Sequence, residues 1–345
     1  GRKIRELVYN SFVLEDHLLH FFILAGPDFI VKPDAAKAQR NILGVVAQVG
    51  EEMGTYLIDT RRKLRSIITE LFGKVIHPVG GLPGGVSKSL TEEKRKQYLE
   101  YAEQAVAFAL ESINAFNDIV LGNDDYVNLI MGDIYRHETN YMGLVDENNK
   151  VTFYDGLLRV VDPDGKEIDK FAGSDYLDHI AEHVEPWSYM KFPYLRKIGW
   201  KGFVDGKDSG IYRVAPLARL NASDGMATPQ AQKEYERMYD TFGGKPVHNT
   251  LGFHWARLIE SIYAAERIRE LLRDKSITDS NIRNIPTSTP DEGVGVVEAP
   301  RGTLIHHYRV NKQGLMEWAN LIIATGHNNL AMNRGVLQVA KRFVR

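Results

Sequence analysis

The chain of 345 residues contains no cysteine, and this absence excludes several kinds of chemistry. These residues can form no disulfide, no thiolate nucleophile, and no cysteine-ligated zinc, nickel or iron–sulfur site. No apolar run approaches the ~18 residues that span a bilayer, and the first residues lack the pattern of a signal peptide. A formal net charge of −2 supplies no broad basic surface for nucleic acid. We therefore expect a cytoplasmic protein with neither membrane insertion nor nucleic-acid binding.

Apolar residues are plentiful, at 43% of the chain against 26% charged residues, so a sizeable core can form. Their helical spacing predicts helices over residues 4–24, 35–72, 230–239, 251–272 and 329–343. Ser89 with Glu92 makes a capping box, which predicts a further helix that runs to about Val120. Gly73 is the stop signal of the second helix, and the Gly- and Pro-rich residues 77–88 predict a loop.

Strand-like patterns are concentrated in the middle of the chain and near its end. A hairpin is predicted from residues 151–161 and 167–171, because the turn residues 162–165 stand between them. Further strands are predicted at 294–297, 303–310 and 316–324, with a turn at 311–314. We predict one domain over residues 1–345 with an α+β fold, mainly helical (1–125), with a β-rich insert at about 150–225 and a helix and β-hairpin region at 229–345.

Asp16, His17 and His20 are close together on the first predicted helix, with Asp16 and His20 on one face. A carboxylate beside an imidazole tunes its pKa, which suits a proton-handling or ligand-binding cluster. The alternative is a core histidine whose ring nitrogens are satisfied by neighbours, with Asp16 as the partner. Spacing alone favours this structural interpretation.

The segment His179-Ile-Ala-Glu-His183 matches a zinc-protease pattern, in which two histidines on one helix face bind zinc and the glutamate acts as base. Pro186 would end such a helix where the protease helix has to continue. No clear third ligand follows in the sequence. The pattern therefore indicates an ordinary exposed helix end rather than a zinc site.

The segment Glu298-Ala-Pro-Arg-Gly302 is the most suggestive stretch of the chain. Pro300 fixes the backbone before Arg301, and Gly302 permits the close approach of another group. Arg301 stands between two predicted strands and is bracketed by apolar residues, so we expect it to be partly buried. A buried guanidinium needs a partner. That partner is either a carboxylate such as Glu298 or an anionic cofactor or substrate, and the pattern favours neither.

Several short motifs follow one another along the chain: His77-Pro78, Pro83-Gly84-Gly85, Tyr154-Asp155-Gly156, Tyr212–Asn221, His254–Arg257 and Glu298–Gly302. Each is weak alone. In this order they resemble the large, catalytic subunit of nickel–iron hydrogenases, most of all the cytosolic methyl-viologen-reducing (F420-non-reducing) group. The resemblance covers essentially the whole chain.

The resemblance implies an enzyme that interconverts H₂ with protons and electrons and passes the electrons to a separate iron–sulfur small subunit. It implies a nickel–iron centre with CO and cyanide ligands on iron, and allows for a nearby magnesium ion. Arg301 corresponds to a catalytic arginine over the open side of that centre, and Pro300 to a residue beside the diatomic ligands. Asp16 corresponds to an aspartate that pairs with this arginine in many members, although the methyl-viologen-reducing group often has a smaller polar residue there. We therefore expect Asp16 and Arg301 to meet.

One departure from the family pattern is severe. The family holds nickel and iron with four cysteines, in an R-x-C-G-x-C motif near the N-terminus and a D-P-C-x-x-C motif near the C-terminus, and this chain has neither. The residues start just after the place of the first motif and stop before the second, so we interpret the absence as truncation. We expect no metal ligands and no activity in these residues alone. The alternatives are a metal-free scaffold subunit, as in complex I, and, more weakly, a zinc hydrolase using His179, Glu182 and His183.

Overall fold

Helices make up most of the first half of the chain in the computed structural model, which describes residues 1–344. The α-helices among these residues are α1 (Arg2–Leu19), α2 (Gly26–Phe29), α3 (Ile42–Val49), α4 (Glu51–Phe72), α5 (Glu92–Phe116), α6 (Asp124–Met131), α7 (Tyr176–His179), α8 (Pro216–Ala222), α9 (Pro229–Phe242), α10 (Gly252–Arg273) and α11 (Asn329–Phe343). Two π-helical stretches, His20–Ala25 and Asn117–Leu121, continue α1 and α5.

Short strands are concentrated in the second half. They are β1 (Gly81–Leu82), β2 (Gly85–Val86), β3 (Asn140–Val145), β4 (Leu157–Val161), β5 (Glu167–Phe171), β6 (Ile180–Val184), β7 (Lys191–Leu195), β8 (Tyr212–Arg213), β9 (Glu292–Ala299), β10 (Gly302–Val310) and β11 (Met316–Ile322). One sheet has the order β5-β4-β3-β8, in which only β3 and β8 are parallel. A second, antiparallel sheet has the order β11-β10-β9, and β1–β2 and β6–β7 form antiparallel pairs. The predicted α+β class is confirmed.

The chain divides into two compact units. The first unit, Gly1–Val127 with Arg257–Ser288, is helical apart from the β1–β2 pair, and α4 packs against both α1 and α5. The second unit, Asn128–Ala256 with Thr289–Arg345, contains the larger sheets; its last residue lies outside the described residues. Side chains from both of those sheets share one core, including Met142, Leu158 and Ile305. The single domain expected from the sequence stays a prediction.

Most predicted helices are confirmed, and α11 has the predicted bounds. Residues 35–41 are not helical, because Asn41 caps α3 through its side-chain oxygen, which accepts the N–H groups of Leu43 and Gly44. Gly50, at φ 92°, separates α3 from α4. Pro27 lies in the first turn of α2, where a missing N–H is tolerated.

The cap of α5 and several strands also differ from the predictions. Thr91, not Ser89, caps α5, and its hydroxyl accepts the Lys94 N–H at 3.2 Å. The predicted strand at 151–161 is reduced to β4, with only an isolated bridge at Val151. Strand β5 has the predicted bounds. Strands β3 and β8 were not predicted. Strand β3 is buried along its whole length and shows no alternation of apolar and polar residues. Strand β8 has only two residues.

No single helix in the described part of the chain combines the length and the apolarity needed to cross a bilayer. The segments Glu92–Leu121 and Asp124–Met131 meet that criterion only when taken together, and they are bent by 94° relative to each other.

Candidate functional site

The Glu298–Gly302 segment forms the corner between β9 and β10. Ala299 and Gly302 are paired across the two antiparallel strands, so Pro300 and Arg301 are the turn between them. Proline suits this place because its ring fixes φ for a tight turn. Pro300 is buried and Arg301 is exposed. The prediction that Arg301 is partly buried is therefore wrong, since a residue at the end of a hairpin lies beyond the paired strands.

Gly302 meets a neighbouring segment closely, as predicted. It has φ +135°, and a Cβ built there would lie 2.3 Å from Cγ2 of Val214 and 2.9 Å from the carbonyl oxygen of Ala324. Val214 immediately precedes the strained residue Ala215 (φ 83°) at the start of α8. The corner is thus packed directly against the entry to α8.

A buried ion pair joins α8 to this corner. Nη1 of Arg219 donates to Oε2 of Glu298 at 2.9 Å, and each side chain is 0% exposed. The same guanidinium donates to the carbonyl oxygens of Ala299 at 3.0 Å and Pro300 at 3.3 Å. Its carbon lies 5.5 Å from the ring centroid of Phe153. Arg219 therefore contacts three consecutive residues of the corner.

Glu298 is held from the β3 side as well. Its Oε1 accepts the Leu144 N–H at 2.8 Å and the Thr303 hydroxyl at 3.0 Å. Its own N–H donates to the Phe153 carbonyl oxygen at 2.9 Å. Burial raises the pKa of Glu298, and the positive charge of Arg219 opposes this effect. Glu298 is thus the carboxylate partner of a buried arginine, as the sequence suggested, but that arginine is Arg219 and not Arg301.

Sequence reasoning missed Arg219, although a signal was present. All seven residues of α8 are buried. An arginine within such a short, otherwise mostly apolar segment requires an anionic or carbonyl partner. The sequence did not indicate which residue supplies it.

Of the predicted cluster Asp16, His17 and His20 on α1, His17 is part of the core. His17 is fully buried, and its Nε2 lies 2.9 Å from Oε2 of Glu260 on α10. His17 is therefore a core histidine, as the structural interpretation predicts, but the partner of its Nε2 is Glu260 and not the predicted Asp16. Asp16 is partly buried in the first unit, and Arg301 belongs to the second unit. Their expected meeting stays a prediction.

Only His179 of the His179–His183 segment is helical, so the prediction that the segment is the end of a helix is wrong, and so is the zinc interpretation. Helix α7 ends at His179, and the next residues form β6. Extended backbone separates the two histidines, so they do not share a helix face. Nδ1 of His179 lies 2.7 Å from Asp169, and Nε2 of His183 lies 3.0 Å from Glu185. The ring of His183 also stacks on Trp200 at 3.9 Å.

The nickel-dependent hydrogenase family description matches residues 52–331 of this chain. The chain belongs to the nickel-dependent hydrogenase family. It is 43% identical over 344 residues to an iron–sulfur subunit of the F420-non-reducing hydrogenase of Archaeoglobus profundus, covering 100% of this chain and 71% of that protein. It is 40% identical to a vhu subunit of the F420-non-reducing hydrogenase of Methanocaldococcus jannaschii, covering 99% of this chain and 78% of that protein.

A solved hydrogenase has the same fold. The crystal structure of an NAD⁺-reducing [NiFe]-hydrogenase in the H₂-reduced state superposes with a TM-score of 0.90 at 36% identity, covering 100% of this chain and 74% of that one. The resemblance to hydrogenase large subunits, predicted from the ordered motifs, is confirmed. The chain is a large-subunit-like member of the nickel-dependent hydrogenase family, similar to F420-non-reducing and NAD-reducing types.

The residues of this chain do not supply the ligands that a nickel–iron centre needs. The sequence has no cysteine, and thiolates are the soft ligands expected for such a centre. Among residues 1–344, no group of three or more histidine, aspartate or glutamate side chains is arranged to hold a metal ion. The described residues therefore do not include a set of ligands that fits a nickel–iron centre.

Proposed function

We propose that these residues are the part of a nickel–iron hydrogenase catalytic subunit that surrounds the metal centre, and that this subunit interconverts H₂ with protons and electrons. The observation that carries the proposal is the β9–β10 corner of a hydrogenase-family fold. There, Arg301 is presented at an exposed turn whose backbone is anchored by a buried ion pair.

Each residue of the proposed site has a role that its chemistry supports. Arg301 brings a permanent positive charge and several N–H donors to the reacting groups. Pro300 is buried and has no N–H, so it presents an apolar, rigid surface beside Arg301. Asp16 is the carboxylate proposed to orient the Arg301 guanidinium. The described residues do not fit a metal ion, so these three roles involve only the side chains and backbone of the chain itself.

We propose that cysteines elsewhere in the polypeptide hold nickel and iron, with CO and cyanide on iron and a magnesium ion nearby. The two F420-non-reducing relatives extend beyond the aligned part, since the chain covers 71% and 78% of their lengths. Their names designate them as subunits, which supports a partner; we propose an iron–sulfur small subunit that accepts the electrons. We further propose a cytoplasmic location.

The alternative function is a metal-free scaffold subunit. The absence of a metal donor set from residues 1–344 is the observation that favours it. The two functions make different demands on the full-length polypeptide, because only the hydrogenase needs thiolate ligands and a reaction with H₂.

The deciding experiment is to purify the full-length protein anaerobically, then measure nickel content and H₂-dependent reduction of a viologen dye. We expect about one nickel per chain and H₂-dependent activity. In that protein, Arg301→Lys should lower kcat by roughly 10²–10³-fold, as for the loss of a preorganised donor. Arg309→Lys is the matched control, because Arg309 is also an exposed arginine and lies near the other end of β10.

The outcomes separate the two functions. Absence of both nickel and H₂-dependent activity from the full-length protein would favour the scaffold. Nickel and activity with an unaffected Arg301→Lys variant would keep the hydrogenase function and refute the role proposed for Arg301.

A further inference from the structure

We propose that Arg219 and Glu298 are positioning residues, whose buried ion pair fixes the β9–β10 corner and thereby sets where the Arg301 guanidinium stands. This inference rests on the catalytic role proposed above for Arg301. It concerns two residues that neither the motif spacing nor the family membership assigns to the reaction.

The contacts of Arg219 fall on the backbone immediately before Arg301. One guanidinium donates to Oε2 of Glu298 at 2.9 Å, to the Ala299 carbonyl at 3.0 Å and to the Pro300 carbonyl at 3.3 Å. The Pro300 carbonyl belongs to the peptide plane that also contains the nitrogen and Cα of Arg301. The hydrogen bond from Arg219 to that oxygen therefore restricts the orientation of this peptide plane. Because Cα of Arg301 lies in the plane, the direction in which the Arg301 side chain leaves the backbone is restricted as well.

Both members of the pair are themselves fixed. A Cβ added to Gly143 on β3 would lie 2.8 Å from Cα of Arg219 and 3.0 Å from its Cγ, so β3 packs directly on this arginine. Leu144, the next residue of β3, donates its N–H to Glu298 at 2.8 Å. One strand thus supports the arginine and the glutamate together, and any movement of the corner has to break several contacts.

The choice of a charged pair in this place also favours a positional role. Both side chains are 0% exposed, and desolvating two charges offsets most of their attraction, so an apolar pair of similar volume often stabilises a fold as well. An apolar pair could not donate to the Ala299 and Pro300 carbonyls. The planar, forked guanidinium can serve the carboxylate and both carbonyls at once.

The test uses the full-length, metal-loaded holoenzyme with the variants Arg219→Lys, Glu298→Gln, Arg301→Lys and Arg219→Lys/Arg301→Lys. The measurements are kcat for H₂-dependent dye reduction, the midpoint of thermal unfolding, and amide hydrogen exchange of peptides covering residues 298–304. Arg159→Lys is the matched control. Arg159 is also ion-paired, and it donates to the Ala222 carbonyl at the other end of α8 at 3.2 Å.

We expect Arg219→Lys and Glu298→Gln each to lower kcat by about 10-fold or more and to speed exchange in residues 298–304. The double variant should be no slower than Arg301→Lys alone, because residues that act through one group are not additive. Arg159→Lys should leave kcat and this exchange unchanged. Glu298→Gln preserves the size of the side chain, so it remains informative if Arg219→Lys does not fold.

Three outcomes would overturn the inference. The first is a kcat within about 2-fold of the parent for both single variants, measured on folded protein. The second is a double variant whose loss is the product of the two single losses, which indicates independent effects. The third is unchanged exchange at the corner. If Arg301→Lys has no effect on kcat, the role proposed for Arg301 is refuted, and the positioning role is refuted with it. The Arg301→Lys variant alone distinguishes this result from a failure of the positioning role only.

Discussion

His17 and Glu260 form a buried pair between α1 and α10, with Nε2 and Oε2 at 2.9 Å and neither side chain exposed. The two residues are 243 positions apart in the sequence. Within the first unit, this pair joins the first helix to α10, which is distant in the sequence, so we expect it to matter for folding.

Glu260→Ala should lower the free energy of unfolding by about 3–5 kcal/mol, because it removes one member of a buried pair and leaves the other in the core. The double variant His17→Leu/Glu260→Leu should lose clearly less, since it buries no polar group. Urea unfolding of both proteins tests this expectation. Equal losses in the two variants would indicate that packing, not the pairing, accounts for the effect.

Gly302→Ala should be strongly destabilising. The new Cβ would meet Val214 at 2.3 Å and the Ala324 carbonyl at 2.9 Å, at a residue with φ +135°. We expect a loss of about 2–4 kcal/mol from strain and overpacking together. Gly314→Ala is the matched control, because Gly314 also has positive φ (+76°) but has nothing within 4 Å of a new Cβ. It should lose only about 1 kcal/mol, and losses of similar size at both positions would contradict the steric argument.

Ala215→Gly should stabilise the protein. Ala215 has φ 83° and ψ −178°, a backbone conformation that is strained by about 1–3 kcal/mol for any residue except glycine. The gain from relieving this strain is reduced, but not cancelled, by the ~0.5–1 kcal/mol that the greater conformational entropy of unfolded glycine costs. Ala218→Gly, inside α8, should instead destabilise by ~1 kcal/mol or more. A lower unfolding midpoint for Ala215→Gly than for the parent would contradict the prediction, because it would show that Ala215 stores less strain energy than the entropy cost of glycine.

Stability should fall in acid partly because of His327. This side chain is fully buried with Nδ1 bonded to the Tyr212 hydroxyl, and burial lowers the pKa of His327 to about 3. Its unfolded pKa is near 6.5, so the unfolded chain binds the proton first as the pH falls. The contribution of His327 is complete above about pH 6.5 and declines by at most ~1.4 kcal/mol per pH unit down to about pH 3.

His327→Gln should therefore reduce the slope of unfolding free energy against pH between about 6 and 4. It should not abolish the slope, because burial also lowers the pKa of His248, to about 4. His306→Gln serves as the control, because His306 is only partly buried on β10. An unchanged slope in His327→Gln would show that the imidazole is protonated equally in both states.

Regular local patterns were enough to predict much of the fold. The bounds of α11 and β5 follow from apolar spacing and from end signals carried by neighbouring residues. Strand β3 was missed because it is buried throughout, so its sequence does not alternate between apolar and polar residues. The 179–183 segment was assigned to a helix because its histidine spacing is compatible with one, whereas its pairing with β7 makes it a strand.

The proposed site likewise has features that the sequence predicts and features that it does not. The position of Arg301 between two strands could be predicted, because strand patterns are local. The pairing of Glu298 with Arg219 could not, since the two residues are 79 positions apart and several arginines were possible partners. The exposure of Arg301 was also misjudged, because apolar neighbours in the sequence do not show on which side of a turn a side chain emerges.

The sequence by itself determined the family, through motifs in a fixed order, and determined that these residues have no thiolate with which to hold nickel or iron. It also placed Arg301 between two predicted strands. Only the tertiary structure decided which charges are buried against each other, namely Arg219 with Glu298 and His17 with Glu260. The physical reason is that helix and turn signals act between near neighbours, whereas the partner of a buried charge depends on which distant segments pack together when water is excluded.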